Sequence, residues 1–177
     1  MCRGITSIPP RTKKVESKTK RSSASAAYAA ALRLLTRRGY AEAEITGRLG
    51  DKGFSAEDTA SALSRCRALG YLDDTHFAEQ RALALLRNGR AVGRRACLDL
   101  RHRGIAAELA AAAVAAAENE HPPHELLRAQ LARRYPHFDY ATADAASRRR
   151  IINFFLRRGF ELPLVLNILH AEKDNRS

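Results

Sequence analysis

The chain has 177 residues, a formal net charge of +12, and only 6% aromatic residues. This length suits one or two ordinary domains, and a composition that lacks Trp and is dominated by Ala, Leu and Arg favours packed helices over a sheet. No uncharged apolar stretch reaches about 18 residues, so no membrane-spanning helix is expected, and no secretory signal is expected at the start of the chain.

The first 24 residues are predicted to form a disordered basic tail. Residues 1–25 hold seven Lys or Arg and one Glu, a net charge of +6, which is half of the total. Because they contain almost no large apolar side chains, they bury too little surface to offset the entropy lost on ordering. The excess positive charge favours an anionic partner, although a basic composition can also serve solubility alone.

The first predicted unit, residues 25–71, contains three helices. Apolar residues at helical spacing place these helices at about 26–37, 41–51 and 55–69. Gly39 and Gly53 are expected to end the first two helices as left-handed caps, and Ser55 is expected to cap the start of the third.

The second predicted unit, residues 72–120, follows the same plan. Asp73 or Asp74 is expected to cap its first helix, and Gly93 lies in the turn into its second. An alanine-rich helix then covers about 106–118.

The third predicted unit covers residues 121–177. Pro122 and Pro123 suit the first turn of its opening helix. A loop at 136–141 precedes a helix at about 142–158, and the last helix carries apolar residues at the i, i+3, i+4 and i+7 positions from Leu162 onward.

A short phrase occurs once in each unit, at 49–54, 100–105 and 155–160. It consists of an apolar residue, two variable residues, a base, a glycine and a second apolar residue, and its glycines lie 51 and then 55 residues apart. Each glycine is expected to stop a helix, and the basic residue directly before it is expected to lie at the C-terminus of that helix. A repeat of about 50 residues implies an all-α fold of three tandem three-helix repeats stacked into an elongated curved body.

No catalytic, cofactor or metal site is predicted. His121 and His124 form the nearest approach to a metal pair, but no third ligand lies close by in the sequence. The glycine-containing segment 89–93 lacks the Lys-Ser/Thr ending of a phosphate-binding loop. Three cysteines without a CxxC pattern predict reduced thiols in a cytosolic protein, and the sequence indicates a protein that is not an enzyme.

Arginine is concentrated on the middle helices of the second and third units. Arg94 and Arg101 are seven residues apart, as are Arg150 and Arg157, so each pair lies on nearly one helix face. Such faces could bind phosphates or an acidic protein surface, or they could be solvated faces whose bases favour a helix C-terminus. The candidate partner-binding or DNA-binding residues are Arg94, Arg95, Arg101, Arg103, Arg148, Arg149, Arg150, Arg157 and Arg158.

Several motifs resemble the RecX family of recombinase regulators. The block Gly-Tyr-Leu-Asp-Asp at 70–74, followed by Phe77, resembles a motif of that family. Further similar motifs stand at Arg94-Arg95 with Leu100, at Arg103-Gly104-Ile105, at Arg133-Arg134-Tyr135 and at 155–160. The resemblance covers about 26–170.

The resemblance implies a cytoplasmic regulator without a cofactor. Its implied partner is the RecA recombinase, mainly as a filament on single-stranded DNA, whose ATPase, strand-exchange and coprotease activities it would modulate and mainly inhibit. Weak non-specific nucleic acid binding and a monomeric state are expected. The alternative from the residues themselves is a helix-turn-helix-like DNA-binding regulator that acts without RecA.

The remaining motif residues are expected to be structural. In the 70–74 block, glycine caps a helix, the tyrosine and leucine pack between units, and an aspartate begins the next helix, with direct partner contact as the alternative. The structural positions are Gly53, Gly70, Tyr71, Leu72, Asp73, Asp74, Phe77, Gly104 and Gly159.

Overall fold

The computed structural model describes residues 23–174, with side chains described as far as residue 171. The predicted basic tail, apart from its last two residues, lies outside this range. Within it the chain is all-helical. The helices are α1 (Ala24–Leu35), α2 (Glu42–Asp51), α3 (Ala56–Ala68), α4 (Asp74–Arg87), α5 (Gly93–Arg101), α6 (Ala107–Glu120), α7 (Pro123–Arg134), α8 (Ala145–Leu156) and α9 (Leu162–Asp174).

The helices pack in tandem groups of three, which we call repeat 1 (α1–α3), repeat 2 (α4–α6) and repeat 3 (α7–α9). In each repeat the first helix packs against the third. The middle helix packs against both of them in repeats 1 and 2, and against the third helix in repeat 3. Repeat 1 has its own apolar core, centred on Ile45, Leu49 and Leu63. Repeats 2 and 3 share one continuous core, in which Leu100 and Phe155 are fully buried.

All three copies of the glycine phrase end their middle helices in the same way. Gly53, Gly104 and Gly159 have φ values of +81°, +90° and +95°. In each copy the N–H of the residue after the glycine donates to the carbonyl of the apolar residue that opens the phrase, five positions earlier, at 3.2 to 3.3 Å. This is a Schellman cap, and it confirms that these glycines stop helices.

Polar side chains cap the starts of four helices, which are α1, α3, α4 and α8. Ser23 and Ser55 each accept a hydrogen bond from the backbone N–H three residues later, and Asp144 does the same for α8. Pro123 occupies the first position of α7, where no N–H is needed. The cap at Asp144 corrects the predicted start of α8, which begins at Ala145 rather than near residue 142.

The prediction that Gly39 ends α1 as a left-handed cap is wrong. The helix ends at Leu35, with Thr36 as its C-cap in a right-handed conformation. Gly39 does not have a positive φ, and a Cβ placed on it would lie 3.5 Å from the ring of Phe77 in α4. This glycine lies beside α4 of repeat 2, where a Cβ would make an ordinary van der Waals contact.

The lengths and compositions of the described helices bear on membrane insertion. None of them is long and apolar enough to cross a membrane.

Cys66 is fully buried in repeat 1, and burial raises the pKa of its thiol. A buried thiol of raised pKa is a poor nucleophile, so Cys66 has a packing role.

Candidate partner-binding surface

The phrase of each later repeat docks on the middle helix of the repeat before it. A Cβ at Gly104, which follows α5 in repeat 2, would collide with the Cβ of Ala43 in the first turn of α2. A Cβ at Gly159, which follows α8 in repeat 3, would collide with the carbonyl of Val92 and would lie 2.8 Å from the Cβ of Arg95 at the start of α5. Both glycines therefore permit contact between repeats. We call the contact between repeats 1 and 2 the first junction, and the contact between repeats 2 and 3 the second junction.

Among the described residues, no repeat precedes the one that contains Gly53. A Cβ placed on it would meet nothing within 4 Å, although its backbone has the same left-handed form. The three glycines share a conformation, but only two of them are junction residues.

The base before each junction glycine is also part of the junction. The Nη1 atom of Arg103 donates to the Oε1 atom of Glu44 at 2.9 Å, which joins repeat 2 to repeat 1. The Nε atom of Arg158 donates to the carbonyl of Gly89 at 3.1 Å, and the Arg158 carbonyl accepts from the N–H of Val92 at 2.8 Å. Arg103 and Arg158 were predicted as partner contacts, but their half-buried side chains bond within the protein.

Asp99 holds the centre of an ion-pair network at the first junction. Arg81 donates to both of its carboxylate oxygens, at 2.8 and 3.1 Å, and Arg103 donates to it at 3.1 Å. Burial disfavours ionisation of Asp99, but these hydrogen bonds and the two positive charges outweigh it and hold the pKa of Asp99 below its ordinary value. The network continues from Arg103 to Glu44 in repeat 1.

The two aspartates at the end of the 70–74 block have separate roles. Asp73 accepts hydrogen bonds from the N–H groups of Thr75 and His76 and caps α4. The Oδ1 atom of Asp74 instead accepts from the N–H of Glu42 at 2.9 Å, at the start of α2. One aspartate thus begins repeat 2 while its neighbour binds repeat 1, so the block is an inter-repeat connection.

Tyr71 corrects one expectation for the same block. The prediction placed Tyr71 and Leu72 in the packing between units, but the Tyr71 residue is 53% exposed. Leu72 is buried in the core of repeat 1, and Gly70 has a φ of +71°, as expected of a cap. Because the side chains of adjacent residues after a helix end point in different directions, only one of the pair enters the core.

Six of the nine predicted arginines are exposed on repeats 2 and 3. Arg94 and Arg149 both stand ten residues before the glycine of their phrase, and Arg95 and Arg150 both stand nine residues before it. Two exposed cations therefore recur at equivalent positions of consecutive repeats. The exposed residues are Arg94, Arg95, Arg101, Arg149, Arg150 and Arg157.

Repeat 1 carries different side chains at those positions. Ala43 and Glu44 stand where the later repeats have arginines, and they receive Gly104 and Arg103 of repeat 2. Arg148 stands apart from the exposed arginines of its own helix. Its Nη2 atom donates to the carbonyl of Ala141 at 2.9 Å, and its guanidinium lies 4.9 Å from the ring centroid of Tyr140.

The residues between 23 and 171 contain no group of three potential metal ligands. His121 accepts a hydrogen bond from the Nε atom of Arg87 at 3.0 Å, which gives this turn histidine a structural partner.

Sequence reasoning missed the ion-pair network around Asp99. It also missed a cleft between repeats 2 and 3 that is lined by Arg90, Arg133, Arg134 and Arg158. The spacing of Asp99 and Arg103, four residues apart on one helix, was a signal for part of the network. Glu44 is 59 residues from Arg103 in sequence, and no local pattern links the two.

The fold and the surface define the class of protein. It is a tandem three-helix-repeat protein whose exposed arginines recur at matching positions of consecutive repeats.

Comparison with known proteins identifies the family. The chain is 43% identical to regulatory protein RecX of Syntrophotalea carbinolica over 147 residues, which cover 83% of this chain and 96% of that protein. It is 37% identical to regulatory protein RecX of Trichlorobacter lovleyi over 138 residues, which cover 78% of this chain and 90% of that protein. Residues 27–66 match the family model described as RecX, first three-helix domain.

A solved structure has the same fold. The crystal structure of RecX from Lactobacillus salivarius matches with a TM-score of 0.64 at 21% identity, over 86% of this chain and 97% of that one. The chain belongs to the RecX family of regulatory proteins.

Proposed function

We propose that this protein binds the RecA recombinase, mainly as a filament on single-stranded DNA, and lowers its ATPase, strand-exchange and coprotease activities. The observation that carries the proposal is the 43% identity over 96% of a relative named regulatory protein RecX. The repeated architecture adds support, because a filament offers the same surface at regular intervals and consecutive repeats here offer the same cations. The protein would act in the cytoplasm, where RecA works.

The proposed contact surface consists of the six exposed arginines of repeats 2 and 3. They contact protomers of the recombinase and nearby DNA phosphates, to which guanidinium groups bind strongly. Arg103 is excluded from this surface because its guanidinium is committed to Glu44 and Asp99.

Removing these cations in groups is expected to relieve the inhibition of RecA. Alanine at 94, 95 and 101, or at 149, 150 and 157, should raise the concentration for half-inhibition by about tenfold, since interface arginines are frequent hot spots. The measurement is RecA ATPase on single-stranded DNA, titrated with substoichiometric amounts of each variant. The matched control removes three exposed bases of repeat 1, Arg33, Arg37 and Lys52, and should inhibit like the wild type.

Unchanged inhibition by both folded variants would contradict the assignment of this surface. Failure of the wild type to inhibit RecA at all would contradict the proposed function. Sequence-preferring binding to duplex DNA without RecA, with steep salt dependence, would instead support the helix-turn-helix-like alternative.

Tyr71 is expected to contribute to partner binding and not to folding. The residue is 53% exposed, and it lines the cleft between repeats 1 and 2 together with Tyr40 and Phe77. Tyr71→Ala should change the free energy of unfolding by no more than about 0.5 kcal/mol. It should weaken RecA inhibition several-fold, because exposed tyrosines are common anchors at interfaces.

The control for this variant is Leu72→Ala, which empties a buried site and should cost about 2–5 kcal/mol of stability. Urea denaturation and the ATPase titration measure the two effects separately. A large loss of stability in Tyr71→Ala, or full inhibition by it, would contradict the prediction.

A further inference from the structure

A basic cleft lies where repeat 3 meets repeat 2. It has a volume of about 450 Å³ and is lined by the turn after α4, the C-terminal half of α7 and the end of α8. We call it the arginine cleft and define it by four cations and two other side chains, which are Arg90, Arg133, Arg134, Arg158, Gln130 and Phe154.

The positive charge of the arginine cleft is not neutralised within the protein. None of the side chains that line it is a carboxylate. Among the described residues, none of its four arginines forms an ion pair, whereas Arg81, Arg87 and Arg103 all do. Burial lowers the pKa of Arg158, and the nearby charge of Arg134 lowers it further, as crowding of like charges requires.

Two of the guanidinium groups are held in place by an aromatic ring. The Cζ atom of Arg158 lies 3.5 Å from the ring centroid of Phe154, and the Cζ atom of Arg134 lies 4.7 Å from it. Tyr135 and Phe155 pack edge-on against the same ring and fix its orientation. Stacked guanidinium groups lose little further freedom when they bind a ligand.

The hydrogen bonds of Arg158 also orient it. Its Nε and Nη1 atoms donate to the carbonyls of Gly89 and Phe154, both at 3.1 Å. The Nη2 group has no hydrogen bond to another described residue, and it remains available to an acceptor.

A buried amide beside the cleft lacks an acceptor. The Nε2 atom of Gln130 is buried and has no hydrogen-bond partner among the described residues. It lies over Gly89, where a Cβ would collide with it. A buried donor without an acceptor costs free energy. An anionic ligand that accepts from this amide would therefore remove that cost, and it would also neutralise the charge of the four arginines.

We propose that the arginine cleft binds a ligand with at least two adjacent phosphate groups, either a free nucleoside diphosphate or triphosphate or consecutive phosphates of a nucleic acid strand. One carboxylate would leave most of the four cations unneutralised, whereas a diphosphate carries enough charge and offers the acceptor geometry that guanidinium forks match. The proposal goes beyond the proposed function, since it requires no contact with RecA, and it concerns a cleft separate from the six exposed arginines.

Isothermal titration calorimetry of the full chain with pyrophosphate, ADP and a short oligothymidylate tests this proposal. The cleft variant is Arg133→Gln combined with Arg134→Gln, and the control is Arg33→Gln combined with Arg37→Gln, two exposed arginines of repeat 1. The cleft variant should bind at least about tenfold more weakly, because a charge-assisted hydrogen bond is worth about 1.5–3 kcal/mol. The control should bind like the wild type.

The three probes distinguish the two sources of phosphate. Binding of pyrophosphate and ADP that only the cleft variant loses supports a free nucleotide ligand. Binding of oligothymidylate alone, weakened in the cleft variant with a shallower salt dependence, supports a nucleic acid strand. If the double variant fails to fold, Arg90→Gln replaces it, since this exposed turn residue should lower affinity by a smaller factor.

Three outcomes would overturn the proposal. They are no binding of any phosphate probe, an equal loss of binding in the cleft and control variants, and binding of an acidic peptide but of no phosphate probe.

Discussion

Replacing Gly159 with alanine is expected to lower the free energy of unfolding by about 2–5 kcal/mol. The left-handed backbone at this residue, with a φ of +95°, costs a non-glycine residue about 1–2 kcal/mol. The new methyl group would also enter the space of the Val92 carbonyl and lie 2.8 Å from the Arg95 Cβ, and such overpacking costs about 1–3 kcal/mol more. The Val92 carbonyl is backbone, so it cannot rotate away from the methyl.

Gly53→Ala is the matched control for this variant. Its φ of +81° imposes a similar backbone cost, but its methyl group would meet nothing within 4 Å. Only the backbone part, about 1–2 kcal/mol, should be lost. Urea denaturation followed by circular dichroism measures both variants, and equal losses at the two glycines would refute the assignment of Gly159 to a junction.

Gly104→Ala offers a further comparison, because its obstacle is a side chain. The added methyl group would collide with the Ala43 Cβ, and Ala43→Gly removes that atom. In a double-mutant cycle the two substitutions should therefore couple favourably.

Local sequence signals were sufficient to predict most helix ends. The glycines at 53, 104 and 159 stop helices because their hydrogen bonds reach back only to the preceding turn. The caps at Ser55 and Asp73 are equally local, because they accept hydrogen bonds from residues two or three positions later. Such contacts span few residues, so they leave a readable pattern in the sequence.

Contacts between repeats could not be predicted in this way. The phrase has the same form in all copies, yet Lys52 is exposed while Arg103 bonds to a residue 59 positions away. The first copy differs because no described residue of another repeat contacts its glycine, which the residues of the copy itself do not reveal. The position of Tyr71 was also predicted wrongly, because the local sequence does not show which of Tyr71 and Leu72 enters the core.

The two junctions differ in chemistry. Repeats 2 and 3 share an apolar core, whereas repeat 1 has a separate core and meets repeat 2 partly through the ion pair between Arg103 and Glu44. Ion pairs weaken as salt screens them or as a carboxylate is protonated, while apolar contacts do not respond in this way. Because Asp99 holds Arg103, which bonds across to Glu44, protonation of Asp99 should weaken the junction between repeats 1 and 2 more than the junction between repeats 2 and 3.

Asp99→Asn tests the ion-pair network that reaches the first junction through Arg103, and it is expected to cost about 2 kcal/mol at pH 7. The substitution keeps the shape of the side chain but removes the charge that accepts from Arg81 and Arg103, and hydrogen bonds to charged groups are worth about 1.5–3 kcal/mol. The matched control is Glu79→Gln, an exposed carboxylate of α4, which should change stability by no more than about 0.5 kcal/mol.

The pH dependence identifies the cause of that loss. The pKa of Asp99 is lower in the folded protein than in the unfolded chain, so its contribution is present above the unfolded pKa, about 4, and is lost as the pH falls through the folded value. The stability gap between wild type and Asp99→Asn should hold from pH 7 to pH 5 and close at lower pH, where Asp99 is neutral in the wild type as well. A gap of unchanged size in acid would show that Asp99 acts through packing and not through the charge that pairs with Arg81 and Arg103.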